Sequence, residues 1–118
     1  MHIETRLSDQ LTRYLDLAVA ETKLTAANMA NIDTPGYRTM GFDFPTEMRK
    51  ALADVDAGKE EPVHIDEVDG LVSRPDGNNV SMDREGLEMA QAQLKFRTGV
   101  ALMRLENQRV MDAIHADK

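Results

Sequence analysis

Apolar residues recur every seven positions near both ends of this 118-residue chain. The first repeat runs from about residue 8 to residue 31, and the second from about residue 82 to residue 116. Alternating steps of three and four are typical of helices that pack along their whole length. We expect the packed or assembly faces to be formed by Leu11, Leu15, Ala18, Leu24, Met29, Met89, Leu94, Phe96, Met103, Leu105 and Val110. The pattern predicts an elongated, mainly α fold in which long N- and C-terminal helices pair antiparallel like a coiled coil.

The two predicted helices have apolar residues on more than one side. A second row on the C-terminal helix contains Ala92 and Gly99 but is interrupted by Glu106. At about 1.5 Å per residue the helices would be roughly 36 and 50 Å long, which is longer than a compact domain of this size needs. Only 4% of the residues are aromatic, so the core of a single chain is small. We expect contacts between chains to supply the missing burial.

The middle of the chain, residues 38–80, differs in composition from both ends. It holds three of the four prolines and contributes -5 to the net charge of -7. We predict a loop-rich acidic insertion there, because mutual repulsion opposes compaction. We predict one short helix in it, from about Thr46 to Ala53. The chain enters this helix through Pro45, and the helical segment is closed near Gly58.

A weak hairpin is predicted later in the same insertion. The short apolar runs at residues 63–65 and 71–72 would pair around a turn at Asp69-Gly70. In this interpretation residues 1–37 and 81–118 form one helical core domain, and the insertion lies outside it.

The sequence contains no constellation of residues that supports catalysis or metal binding. The three histidines, His2, His64 and His115, are not at ligand spacing, and there is no cysteine. No Glu-x-x-His pair, calcium loop, phosphate loop or nucleophile elbow is present. We therefore predict no enzyme activity, no cofactor and no metal. No basic cluster indicates nucleic acid, and no apolar run indicates a cleavable signal or a transmembrane span.

The first helical pattern ends in the string "NIDTPGY". Pro35 disfavours α geometry at Thr34, so the helix ends there or earlier. Pro-Gly at the two central positions suits a turn in which Gly36 takes a positive φ, after which Tyr37 would fold back toward the helix. On turn chemistry alone, an ordinary helix end with surface asparagines is the favoured interpretation.

Asn28 and Asn31 precede this turn, lie one helical turn apart and share one helix face. Their amides can bond either the reversing backbone or a neighbouring chain, and the sequence leaves both alternatives open. The residues of the candidate junction motif are Asn28, Asn31, Asp33, Thr34, Pro35, Gly36 and Tyr37.

Two segments carry a family resemblance. "NMANIDTPGYRTMGFDF" resembles the N-terminal signature of the flagellar rod, hook and filament-junction family, in which Asn-x-x-Asn-x-x-Thr-Pro-Gly-Tyr ends the first helix. "DGNNVSMDREGLEMAQAQLKFRTGVALMRLENQRVMDAI" is similar to the C-terminal segment of proximal rod members. The resemblance covers roughly residues 7–44 and 76–114. The short middle also suits proximal rod members, and Arg38, where lysine is common, is a modest departure.

The resemblance implies a structural subunit of the proximal rod of the flagellar basal body. Such subunits are exported without a cleaved leader through the flagellar type III apparatus and polymerise by their terminal helices into a hollow periplasmic drive shaft. The implied partners are further copies of the chain, other rod proteins, the membrane ring, the export gate and rod-base adaptor proteins. The alternative is a two-helix adaptor or export chaperone that binds partner helices through the same faces.

Overall fold

The computed structural model describes residues 5–116, so His2 and the outermost residues of both predicted terminal segments lie outside the described part. Three helices and two very short strands follow in chain order: α1 (Arg6–Ala30), β1 (Met40–Gly41), α2 (Phe44–Ala57), β2 (Asp66–Glu67) and α3 (Met82–His115). The dimensions are 69 × 26 × 21 Å, and the radius of gyration is 18.1 Å. A compact domain of this length would have a radius of about 13 to 14 Å. The predicted mainly helical, elongated fold is confirmed.

Both long helices begin at well-formed caps. Thr5 and Ser8 form a capping box at the start of α1, with each side chain accepting from the other residue's backbone N–H, at 3.0 and 2.9 Å. The Ser81 hydroxyl accepts from the backbone N–H of Arg84 at the start of α3. Ser81 is therefore the N-cap of α3.

Helices α1 and α3 lie antiparallel. Contacts join Thr5 with Glu106 at one end of the pair, Glu21 with Lys95 near the middle and Asn28 with Glu85 at the other end. Residue numbers thus rise along α1 as they fall along α3, as the sequence predicted.

The row of α3 that faces α1 is built from small and acidic residues. Its buried members repeat every seven positions: Glu85, Ala92, Gly99 and Glu106. A Cβ atom at Gly99 would lie only 2.6 Å from Cδ2 of Leu15, so glycine lets the two helices approach closely. The interpretation of Glu106 as an interruption of this row is wrong. Its carboxylate is buried within the row, where Thr5 and Arg109 donate hydrogen bonds to it.

Helix α2 packs on the side of the helix pair. It is longer at both ends than predicted, but it begins with Pro45 in its first turn and ends at Gly58, which has a φ of 69°. The Phe44 ring meets Tyr14 edge-to-face at 5.7 Å, and the Lys95 ammonium lies 3.9 Å from the centre of the Phe44 ring. This part of the acidic middle is therefore fastened to the helical core.

The predicted hairpin around Asp69-Gly70 is wrong in its pairing. β2 pairs antiparallel with β1, Met40 opposite Glu67, and the backbone N–H of Val68 donates to Thr39 over 2.9 Å. Residues 39 and 40 follow the turn at residues 34–37. The side chains of Asn28 on α1 and of Asn79 hold them in place, so they offer a fixed strand edge. The 71–72 run is too short to compete and leaves Val72 89% exposed.

Candidate functional site

The candidate site is the junction where the chain leaves α1. The backbone N–H of Tyr37 donates to the Thr34 carbonyl over 3.2 Å, which closes a four-residue turn around Pro35 and Gly36. Gly36 has a φ of 76°. The predicted turn with a positive φ at its second central residue is confirmed.

Asn28 fastens the returning chain to the helix. Its amide nitrogen donates to the Met40 carbonyl at 2.9 Å and to a Glu85 carboxylate oxygen at 3.2 Å. Its amide oxygen accepts from the Tyr37 hydroxyl at 2.9 Å and from the Met40 backbone N–H at 3.1 Å. With 1% of its surface exposed, this side chain uses both donors and both lone pairs inside its own chain. Tyr37 does fold back onto the helix, as predicted.

Glu85 brings the start of α3 into the same cluster. Its side chain is 1% exposed, and its second oxygen accepts from the Arg84 guanidinium at 2.7 Å. Burial, and then the negative charge of Glu85, raise the pKa of the Tyr37 phenol. The Tyr37 hydroxyl therefore keeps its proton at neutral pH and donates it to Asn28.

Asn31 acts more locally and nearer the surface. Its amide nitrogen donates to the Ala27 carbonyl at 2.8 Å, and its amide oxygen accepts from the Thr34 hydroxyl at 3.0 Å. Both asparagines thus bond the reversing chain in this structure. Asp33, Thr34, Pro35 and Gly36 are exposed on the outside of the turn.

A second turn, at residues 74–77, locks the first. Its backbone closes between Gly77 N–H and the Arg74 carbonyl at 2.8 Å, and Gly77 has a φ of 87°. The Asp76 carbonyl accepts from Gly36 N–H at 2.9 Å, so the two turns are bonded directly to each other.

Asn78, which sequence reasoning did not place in the junction, lies between the two turns. It is completely buried and donates from its amide to the carbonyls of Asn31 and Thr34, at 2.8 and 2.9 Å. The adjacent Asn79 accepts from Thr39 N–H at 2.7 Å. The signal that could have found them is the string "DGNNV", in which an Asp-Gly turn and two asparagines come directly before a helix cap.

Two arginines fasten the outer side of the junction. Arg74 donates to the Val80 carbonyl at 2.9 Å and also to the Ile32 carbonyl. Arg38 donates to the Ser73 hydroxyl at 2.7 Å and to the Gly77 carbonyl at 2.9 Å. The junction is therefore a polar lock that joins the end of α1 to the chain that enters α3.

The residues expected on assembly faces are divided by the structure into inner and outer sets. Leu11 and Ala18 are buried within the chain. Those that are half-buried are Leu15, Leu24, Met29, Met89, Met103 and Val110. Three of the expected residues are exposed on α3, with exposed fractions of 66% for Leu94, 42% for Phe96 and 66% for Leu105. Leu87, one heptad before Leu94, is also 59% exposed.

The geometry of the described residues also bears on metal binding and membrane insertion. Across residues 5–116, no three His, Asp or Glu side chains come together in a way that could hold a metal ion. Over the same range, none of the helices combines the length and the apolar character needed to cross a membrane. The fold and the junction together define an antiparallel helix pair with a polar lock at one end and apolar side chains on its outer surface.

Comparison with known proteins shows which subunit family this is. The flagellar basal body rod protein FlgB of Salmonella typhimurium is 32% identical over an alignment of 111 residues. The match covers 75% of this chain and 78% of that protein. FlgB of Bacillus subtilis is 31% identical, with 79% and 81% covered. FlgB of Buchnera aphidicola is 29% identical, with 82% and 85% covered. No family model matches the chain.

The chain belongs to the FlgB family of flagellar basal body rod proteins. It is a structural subunit of the flagellar basal body rod rather than an enzyme, and it assembles with other flagellar rod proteins. The family and the function predicted from the sequence are confirmed, and the adaptor or chaperone alternative is not favoured.

Proposed function

We propose that this chain polymerises through α1 and α3 to form the hollow proximal part of the rod, which transmits motor torque and lets export substrates pass. Its neighbours in this proposal are further copies of itself, other rod proteins, the membrane ring, the export gate and rod-base adaptor proteins. The rod of this proposal lies in the periplasm.

The exposed apolar row on α3 is the observation that supports this proposal. Leu87, Leu94 and Leu105 are more than half exposed. In contrast, the buried hydrophobic residues among residues 5–116 are few, namely Leu11, Leu17, Ala18, Val80 and Ala92. Burying each exposed leucine against a neighbouring subunit would contribute about 1 to 2 kcal/mol. The burial that a single chain lacks is thus available on the outer surface of its longest helix.

The division of the chain follows from the same proposal. The terminal segments, residues 1–37 and 81–118, form the helical layer of the rod, and residues 38–80 lie outside that layer. The junction has a mechanical role, because it fixes where the chain leaves the layer after α1 and where it returns before α3. Asn28, Asn31 and the turn at residues 34–37 supply that fixed exit in this structure.

A charged residue placed in the exposed α3 row tests the proposal. The variant Leu94→Glu/Leu105→Glu, produced in a strain that lacks the natural copy, should form no rods and no swimming cells. Both positions are exposed, so the chain itself should keep its helicity and its abundance. The matched control is Ala53→Glu on the exposed side of α2, which should form normal rods.

Rods of normal number and length in the double variant would overturn the assembly role of this row. Electron microscopy of isolated basal bodies gives the rod count, and circular dichroism of the purified variants reports whether the helices have been kept.

A further inference from the structure

A groove of about 520 Å³ lies open between α1 and α3. Three residues from each helix line it: Val19, Thr22 and Lys23, and Gln93, Phe96 and Arg97. The Val19 and Phe96 side chains remain 36% and 42% exposed, which leaves apolar surface uncovered. Both charged residues of the lining, Lys23 and Arg97, are cations, although the chain as a whole has a net charge of -7.

The acidic loop, residues 59–72, has complementary properties. Within it, Ile65 is 43% exposed and Val72 is 89% exposed, the largest exposed fraction among the large hydrophobic side chains of the described chain. Five acidic residues of the loop are also exposed: Glu60, Glu61, Asp66, Glu67 and Asp69. Among residues 5–116, Glu60, Glu61 and Asp69 make no ion pair.

The acidic loop is fastened away from the groove of its own chain. β2 pairs with β1, and the Lys59 carbonyl accepts from Arg13 at 2.8 Å. No residue of the loop lines the groove. The loop and the groove of one chain therefore do not meet in this structure, and a contact between these two surfaces would join two copies.

We infer that the acidic loop of one copy docks in the groove between α1 and α3 of a neighbouring copy. Val72 enters between Val19 and Phe96, while the loop carboxylates face Lys23 and Arg97. Burial of the valine side chain favours the contact, and opposite charge fixes the register and speeds the encounter. This inference rests on the proposed self-assembly, and it gives residues 38–80 a role in holding adjacent subunits together.

Cysteine cross-linking tests this contact directly, because the chain has no cysteine of its own. The double variant Val72→Cys/Gln93→Cys should give disulfide-linked dimers and higher multimers in isolated basal bodies after mild oxidation. The matched control is Arg49→Cys/Gln93→Cys, in which the first cysteine lies on the exposed side of α2 and should give no multimers. Denaturing gels without reductant separate the products.

The outcomes of cross-linking separate this inference from the proposed function. Rods that contain the Val72→Cys/Gln93→Cys chain but yield no multimers would overturn the docking contact and leave the rod subunit role intact. Absence of the unaltered chain from isolated rods would overturn the proposed function itself. An equal yield of multimers from the Arg49→Cys/Gln93→Cys control would also overturn the docking contact. It would show that the disulfides form by random encounters of cysteines on neighbouring subunits.

Charge reversal provides a second and independent test. Lys23→Glu/Arg97→Glu should lower the number of rods per cell at least tenfold, because the groove then repels the loop. Adding Glu60→Lys/Glu61→Lys to the same chain should restore rods, since the two surfaces are again opposite in charge. All four positions are exposed, so circular dichroism should show unchanged helicity. A combined variant no better than the groove variant, or a groove variant with normal rods, would overturn the inference.

Discussion

The side chain of Asn28 forms two hydrogen bonds with the backbone of Met40, one in each direction. Its amide nitrogen donates to the Met40 carbonyl at 2.9 Å, and its amide oxygen accepts from the Met40 N–H at 3.1 Å. The Asn28 side chain, on the buried face of α1, thereby bonds the N–H and the carbonyl of one residue of the returning chain, as a neighbouring β-strand would. The exit from α1 is consequently set by a helix side chain as well as by the turn.

Replacing Asn28 should cost far more stability than replacing Asn31. Asn28→Ala leaves the part-buried backbone groups of Met40 and the buried Glu85 carboxylate without their Asn28 partner, so we expect a loss of about 2 to 3 kcal/mol in the free energy of unfolding. Asn31→Ala should cost about 0.5 to 1 kcal/mol, because water can replace its more exposed bonds. Urea unfolding followed by circular dichroism measures both. Trimethylamine N-oxide should be added to stabilise the folded state of every variant, because helices with so small a core are only marginally stable in a single chain. Equal losses for the two variants would contradict the assigned roles.

The turn itself should be sensitive to a β-branched residue at Gly36. Nothing lies within 4 Å of a Cβ built there, so the penalty of Gly36→Val comes from the positive φ alone, about 1 to 2 kcal/mol. We expect rod assembly to fall much more than export, because export of the chain in an unfolded state, which the proposed function implies, would not depend on the turn. Gly36→Asn is the matched control and should assemble, since asparagine tolerates this φ. Basal-body counts report assembly, and the amount of chain released by osmotic shock reports export. An equal fall in both would count against this division.

The parts of the fold that local chemistry determines were predictable from the sequence. Seven-residue apolar spacing predicted α1 and α3, and Pro35 with Gly36 predicted the turn and the return of Tyr37. The β1 and β2 pairing was not predictable, because it joins residues 40 and 67 through a scaffold that Asn28 and Asn79 provide. A local hairpin around Gly70 was the nearest alternative by sequence distance.

The polar residues of the helix interface were misread for a related reason. Apolar patterning treats a glutamate as a break in a buried row. Glu106 occupies such a row because Thr5 and Arg109 satisfy its carboxylate, and Thr5 lies 101 residues away in sequence. Asn78 was likewise assigned no role, since its partners are backbone carbonyls of Asn31 and Thr34. Partners of this kind become visible only when the chain is folded.

Two glycines in α3 should respond to alanine in opposite directions. Both substitutions improve helix propensity by about 1 kcal/mol. At Gly86 nothing lies within 4 Å of the added Cβ, so Gly86→Ala should stabilise the chain. At Gly99 the Cβ would lie 2.6 Å from Leu15 and 3.0 Å from Tyr14, so the helices must separate. Overpacking of about 1 to 3 kcal/mol should make Gly99→Ala destabilising on balance. Urea midpoints compared under one condition measure the pair, and a gain at both positions would refute the close approach.

Acid should weaken the helix pair through Glu106. Hydrogen bonds from Arg109 and then from Thr5 lower the pKa of this carboxyl below its ordinary value of 4.5. A lowered pKa in the folded state stabilises the fold fully above the pKa of the unfolded chain, and this contribution is lost as the pH falls through the folded value. We therefore expect the urea midpoint to fall as the pH drops below the ordinary value of 4.5 and through the lower folded value.

Glu106→Gln isolates the contribution of this carboxyl to the acid response. It keeps the size of the side chain but cannot titrate, so the variant should be less stable at pH 7 and lose less stability on acidification. Glu60→Gln is the matched control at an exposed glutamate with no ion pair among residues 5–116, and it should follow the unaltered chain at every pH. If Glu106→Gln instead ran parallel to the unaltered chain from pH 7 to pH 3, the carboxyl would have no part in holding α1 against α3.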